Sequence, residues 1–217
     1  ILLISYRVSV VLGKEALKRE KGMDEAVFVP NFIYKNIAIC CVCAFLLLNI
    51  FFEESMGVYY SAIACGSAVL AKLKEWHYKE LFRHSFVLLY YFMQLFLALG
   101  FLGIGFSGIF ELHLETNFMH LIAINAVIFS VMLIFNVAGL RHSGQELEFL
   151  RLSKVAFILV LLAGVSRGIL AYFWSGFYIH LPAMLIAIAF VFWLINFYVI
   201  FRAVSYTHLR AHETVLD

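Results

Sequence analysis

SFVLLYYFMQLFLALGFLGIGFSGIF, residues 85–110, contains no charged side chain. As a helix rising 1.5 Å per residue it is about 39 Å long, enough to cross the roughly 30 Å hydrocarbon core of a bilayer. It lacks the alternation of a strand, and lipid offers no partner for an unpaired backbone donor, so the stretch is predicted to be helical. The same stretch holds a decoy. Gly103-Ile104-Gly105-Phe106-Ser107-Gly108 matches the dinucleotide fingerprint G-x-G-x-x-G. That motif requires a strand before it and a helix opening after it. Inside an apolar helix its glycines instead permit close helix packing, as do Ser61, Ala62, Cys65 and Gly66 at four-residue spacing.

Outward from this segment, comparable apolar runs cover residues 37–52, 56–71, 118–140, 155–174 and 177–201, with a partial span ending near residue 12. Two of them are short and suit a thin or distorted part of the bilayer. The whole chain is 64% hydrophobic and 14% charged, against roughly 25% charged residues in soluble domains. The fold class is therefore all-α: a polytopic transmembrane helix bundle of about six complete spans plus a partial one, with the lipid bilayer as its main partner. A net charge of +2 gives no basis for binding nucleic acid.

Basic residues sort the connections into two sets. Arg7, Lys14, Lys18, Arg19, Lys21 and Lys35, then Lys72, Lys74, Lys79 and Arg83, then Arg141, Arg151 and Lys154, and last Arg202, fall on one side. The opposite connections read Glu53-Glu54-Ser55, Glu111 to Thr116, and Ser175-Gly176, with no Lys or Arg. Such alternation predicts that the basic side is cytoplasmic. In the longest connection, residues 13–36, Gly13 to Met23 is charged enough for a surface helix, and Pro30 sets the entrance to the next span.

The ends call for separate treatment. The first residues, Ile1 to Ser5, read like the end of a helix, so the chain is expected to be a fragment lacking an N-terminal part. At the other end, Val204 to Thr214 follows a translated sequencing adapter of the transposon mosaic-end type. Residues 1–203 are thus read as the transmembrane domain and 204–217 as a non-native scar. His208 and His212 are set aside with it.

Few residues remain that could carry chemistry. Cys40, Cys41 and Cys43 sit inside an apolar span, where free Cys behaves as a small hydrophobe and packs; metal contact is the alternative. Arg167 is more informative. It lies thirteen residues beyond Lys154, hence about 20 Å along the helix. A charge that deep in the outer part of the membrane defaults to a functional hypothesis; the alternative is snorkelling toward the outer surface beside Tyr172 and Trp174. His120 and His180 each stand in the first turn of a span entering from the outer side, near the level of Arg167. Neutral imidazole is a common metal and haem ligand, although an interfacial His can equally be just hydrogen-bonded. His77 and His84 flank the basic interface, and His113 lies in an outer loop. His142 is on the opposite face from His120, about 33 Å away along one helix, so the two cannot share an ion. Asn125 and Asn136 on that span are expected to bond between helices.

Three stretches resemble the NnrS family. Asn117-Phe118-Met119-His120-Leu121 leads a span ending Val137-Ala138-Gly139-Leu140-Arg141-His142-Ser143-Gly144-Gln145-Glu146-Leu147. This is similar to the family's Leu-His-Ala-Leu start and Leu-Gly-His-Thr-Gly-Arg end. Ala68 to Trp76, followed by a helix through Leu99-Gly100, looks like its basic, Trp-containing loop and next span. Arg167 matches an Arg of the following helix. The resemblance covers most of residues 60–201. It implies a multi-pass protein of the bacterial inner membrane, linked to the response to nitric oxide and holding haem and copper, with this chain as its C-terminal half. It carries His120 and His142 over as metal-binding positions, His120 near the outer face. Arg167 would pair with a haem propionate, and His180 would approach the same cofactor. Two departures stand out: Tyr91 occupies a position where the family often has His, and the His-Ala-His-Glu element is absent.

Two other functions fit an apolar bundle. A permease half would line a path with Arg167, Asn125 and Asn196, yet the chain lacks paired Gly/Pro-interrupted short helices. A membrane scaffold is the third reading. No nucleophile, general base or substrate pocket is identifiable, so enzymatic turnover is not implied.

Overall fold

The computed structural model describes residues 2–21, 28–53, 55–78, 81–174 and 178–213, with backbone alone at 21, 199–201 and 203–213. Met23, Glu54, Lys79, Ser175 and Gly176 of the connections discussed above lie outside the described residues. The helices are α1 (Leu2–Lys21), α2 (Phe32–Phe51), α3 (Met56–Leu73), α4 (Ser85–Ile109), α5 (Glu115–Ile122), α6 (Phe129–His142), α7 (Arg151–Gly168) and α8 (His180–Glu213). A π-helical stretch, Ala123–Ile128, joins α5 and α6 into one continuous rod. Six helical segments are long and apolar enough to cross a membrane, and no strand occurs among the described residues. The all-α bundle is therefore as expected.

The helices overrun the apolar runs that announced them. The second helix starts at Phe32 rather than 37, and the seventh at Arg151 rather than 155. Hydropathy marks only the part in hydrocarbon, whereas the backbone keeps its internal pairing into the headgroup region. At the start of α2, Asn31 follows the buried Pro30 and caps the helix by accepting from the Ile33 N–H at 2.9 Å. Its own N–H donates to Glu75 Oε1 at 2.7 Å, tying this entrance to the end of the next span.

Consecutive helices are the main neighbours: α2 on α3, α3 on α4, α4 on α5, and α7 on α8, while α5 also packs on α7. Small residues make the α3–α4 contact close. A Cβ at Gly66 would stand 2.8 Å from the Ala98 carbonyl oxygen, and one at Gly105 would stand 2.6 Å from that of Tyr59. The decoy motif has a second use. Ser107 accepts from the Leu114 N–H at 2.7 Å and donates to Glu115 Oε1 at 3.0 Å, which organises the α4–α5 turn. Asn136, Ser153 and Asn196 form a buried chain across α6, α7 and α8, with links of 3.3 and 3.0 Å.

Two expectations change. Gly13 to Met23 reads as a surface helix; its described part is helical but continues the residues before it, because α1 runs unbroken from Leu2 to Lys21. Its charged length has an inner face: Leu12 and Ala16 are fully buried with Trp76 and Tyr90. Lys72 was counted in a basic connection, yet it is 2% exposed, donating to the Tyr90 hydroxyl at 3.3 Å and reaching Ser5 Oγ at 3.5 Å. Its long apolar stem lets α3 continue past the hydrocarbon edge with the ammonium held by hydroxyls.

The other face of α1 ties the basic end together. Glu15 binds Arg19 at 3.0 Å and Arg141 at 2.6 Å, and Glu20 binds Arg83 at 3.2 Å. Burial alone raises the Glu15 carboxyl, but the hydrogen bonds and charges of Arg19 and Arg141 outweigh it and leave it below the usual carboxylate range. A carboxyl depressed in the folded state contributes stability above its unfolded pKa, near ~4.3, and loses it as the pH falls through the folded value. Acid should therefore lower the melting temperature of the wild type more than that of Glu15→Gln. Parallel acid profiles would show that these ion pairs contribute nothing.

Candidate functional site

At the end of the bundle away from the basic connections, α5 and α7 come into close contact. The approach depends on two glycines of α7, again at four-residue spacing. A Cβ at Gly168 would stand 2.8 Å from Leu121 Cβ and 3.2 Å from the Asn117 carbonyl oxygen. A Cβ at Gly164 would collide with the Asn125 side-chain amide. Asn125 lies in the π-helical stretch, is fully buried, and donates to the Leu161 carbonyl at 3.3 Å. Its Oδ1 finds no hydrogen-bond partner among the described residues. π-Helical turns inside α-helices are rare and frequent at functional sites.

This contact brings Arg167 and His120 together. An Arg167 terminal nitrogen lies 3.2 Å from His120 Nε2. Guanidinium only donates, so His120 accepts through Nε2 and is the neutral tautomer protonated on Nδ1. Tyr178 completes the cluster. Its ring lies under Arg167, 4.7 Å from Cζ to centroid, and its hydroxyl is 3.5 Å from the same His120 nitrogen. Arg167 stands in the last turn of α7, where the helix dipole favours a cation. One donor is unused: Arg167 Nε is buried without an acceptor among the described residues.

The other sequence-derived positions fall elsewhere. His180, the first residue of α8, is exposed and makes no hydrogen bond or ring contact with His120 or Arg167 among the described residues. His142 is exposed at the far end of the same rod. His77 contacts the Tyr91 hydroxyl at 3.0 Å on the basic side, and His84 faces Glu20 at 3.4 Å. Tyr178 and the Gly164/Gly168 pair were missed. The glycine spacing was a usable signal, whereas Tyr178 is one of 11 tyrosines and had none.

The donor set discriminates between ligands. No group of three His, Cys, Asp or Glu residues able to hold a metal ion occurs among the described residues. The lone pair with which His120 would bind a metal through Nε2 is directed to Arg167. A copper site would thus need ligands beyond these residues. A carboxylate-bearing group fits better, because it supplies the acceptor that Arg167 Nε lacks. Arg167 and His120 could together hold the propionate edge of a haem, with His120 the imidazole in contact with Arg167 among the described residues.

A protein-family model described as NnrS protein matches residues 1–204. No curated protein and no solved structure matches the chain.

Proposed function

Because this chain belongs to the NnrS family, we propose that it is a multi-pass protein of the bacterial inner membrane acting in the response to nitric oxide or nitrosative stress, with haem held at the His120–Arg167 cluster. The observation that supports this reading is the buried Arg167 Nε, without an acceptor among the described residues, beside an imidazole. Arg167 would pair with a propionate through Nε and the terminal nitrogen now on His120, the two-pronged geometry in which guanidinium binds carboxylate most strongly. That pairing would draw the donor away from His120 and leave Nε2 available as a ligand. A bound haem would supply an iron centre able to take a diatomic gas. Copper is the other cofactor proposed from the resemblance; its ligands would include groups beyond the described residues, with His120 or His142 contributing one at most.

The test is the visible spectrum and metal content of the purified protein. A Soret band with near-stoichiometric iron is the expected result, and a colourless, metal-free protein able to exchange a solute would favour the permease reading. One observation already weighs against that alternative. Asn196 is 6% exposed and engaged with Ser153, so it braces helices rather than lining an open path.

Orientation is part of the proposal. Cysteine introduced at Glu115 should be labelled by an impermeant maleimide from the periplasmic side. At Lys18 or Lys74 it should react only after permeabilisation. Reversed labelling at two of these sites would overturn the orientation.

A further inference from the structure

A cavity of about 190 Å³ opens at the basic end, far from the His120 cluster, and Arg19, Arg83, His84, Ser85, Glu148 and Lys154 are among its lining residues. At ~30 Å³ per water it has room for roughly six waters, or for a phosphate group with a few of them. Arg19 and Arg83 are already held by Glu15 and Glu20, but each through one nitrogen only. Guanidinium has five N–H donors in a rigid fork, so both retain donors for a further acceptor. Lys154 differs from them. It is half-buried and has no ion pair among the described residues. His84 Nε2 is buried, and it faces Glu20 Oε1 at 3.4 Å without making a hydrogen bond. Ser85 opens α4, whose first turn has no side-chain cap, adding a partial positive charge. Glu148 is the opposing group; it is exposed and makes no ion pair among the described residues, so it can turn toward water.

We propose that this cavity binds a phosphate-bearing anion at the membrane surface, with Lys154 as its principal partner and Arg19, Arg83 and His84 completing the contact. Basic pockets between the cytoplasmic ends of transmembrane helices hold anionic headgroups in this way. The shared chemistry is the phosphate oxygens; the source is either a lipid headgroup or a soluble phosphate. The site spans three elements, because Arg19 comes from α1, Ser85 from α4 and Lys154 from α7. Occupancy should therefore hold α1 against the bundle. The proposal is independent of haem, and its test uses no haem signal.

Two arms separate the sources. In the first, the protein in mixed phosphatidylglycerol and phosphatidylcholine micelles is analysed by native mass spectrometry for retained lipid. In the second, inorganic phosphate is titrated against the protein in phosphatidylcholine nanodiscs while its melting temperature is followed. Selective phosphatidylglycerol retention assigns a lipid headgroup, and a phosphate-dependent rise in melting temperature assigns a soluble anion. In whichever arm responds, Lys154→Gln should weaken binding about tenfold, as expected for losing one charge-assisted hydrogen bond. Lys154→Arg should restore most of it. Lys14→Gln, which removes an exposed charge of α1 outside the cavity, should leave binding unchanged. His84→Gln gives the same reading should Lys154→Gln fail to fold. Wild-type behaviour of Lys154→Gln in both arms would overturn the site. So would an equal loss in Lys14→Gln, which would indicate only diffuse surface charge.

Discussion

Gly105→Ala is expected to destabilise the bundle by about 1–3 kcal/mol, and Gly105→Leu by more, because no side-chain movement can relieve the contact. The nearest backbone atoms to a Cβ there are the Tyr59 carbonyl oxygen at 2.6 Å and the Ile63 nitrogen at 3.0 Å. Both belong to α3, so the added methyl pushes one helix away from the other. The separation would open the contacts of Ala62, Cys65 and Val69 with Leu97, Ala98 and Phe101, which share one buried cluster. Gly57→Ala provides the contrast. Among the described residues its Cβ would meet only Ser55 Oγ, at an ordinary 3.6 Å, and alanine is the better helix former. Unfolding in detergent mixtures, followed by circular dichroism, should show a large loss for Gly105→Ala and none for Gly57→Ala. Equal stability of the two variants would mean that the α3–α4 crossing is not set by its glycines.

That crossing marks the limit of what the sequence discloses. The uncharged stretch at 85–110 identifies a membrane helix because lipid penalises every unpaired donor and every charge, so composition alone decides. The placement of Lys72 is a different matter. A lysine near a span end reads as a loop cation under charge counting, and only the hydroxyls of Ser5 and Tyr90 reveal that it is buried. Ser5 is 67 residues away from it, a contact that local periodicity cannot anticipate. The same holds at the candidate site. Depth counting puts His120 and Arg167 near one membrane level, but depth says nothing about rotation around the helix axes. Two glycines on α7 and the π-helical stretch after α5 set that rotation, and through it the 3.2 Å contact. His180 satisfied the depth argument as well, yet it is exposed at the head of α8. Tyr178, two residues earlier, reaches the cluster instead.

Arg167→Leu is expected to weaken haem retention by about 10- to 100-fold, corresponding to the ~1.5–3 kcal/mol of a hydrogen bond to a charged group. The reasoning rests on what the arginine does without a cofactor. Its Nε is buried and has no acceptor among the described residues, its terminal nitrogen is bound to a neutral imidazole, and its face lies on Tyr178. No carboxylate is hydrogen-bonded or ion-paired to it among the described residues. A cation kept in that state is costly, and replacing such a group with an apolar one is often neutral or stabilising. If Arg167 only snorkels to the surface, Leu should therefore hold or raise the melting temperature and leave cofactor content untouched. If it pairs with a propionate, retention should fall while the spectrum of the remaining bound haem stays close to wild type, because the His120 imidazole is untouched. Arg167→Lys should recover only part of the loss, since an ammonium keeps the charge but not the planar fork. His120→Ala should act on the other quantity. It removes an imidazole, so haem or copper content should drop and the absorption bands of any residual haem should shift. His77→Ala, on the basic side and in contact with Tyr91, should do neither. The decisive comparison is haem per polypeptide and Soret position for the three sites, measured on protein with a wild-type circular dichroism spectrum. Unchanged content and spectrum in folded His120→Ala would remove that residue from any cofactor site, and unchanged retention in Arg167→Leu would leave the arginine a structural cation braced by a ring.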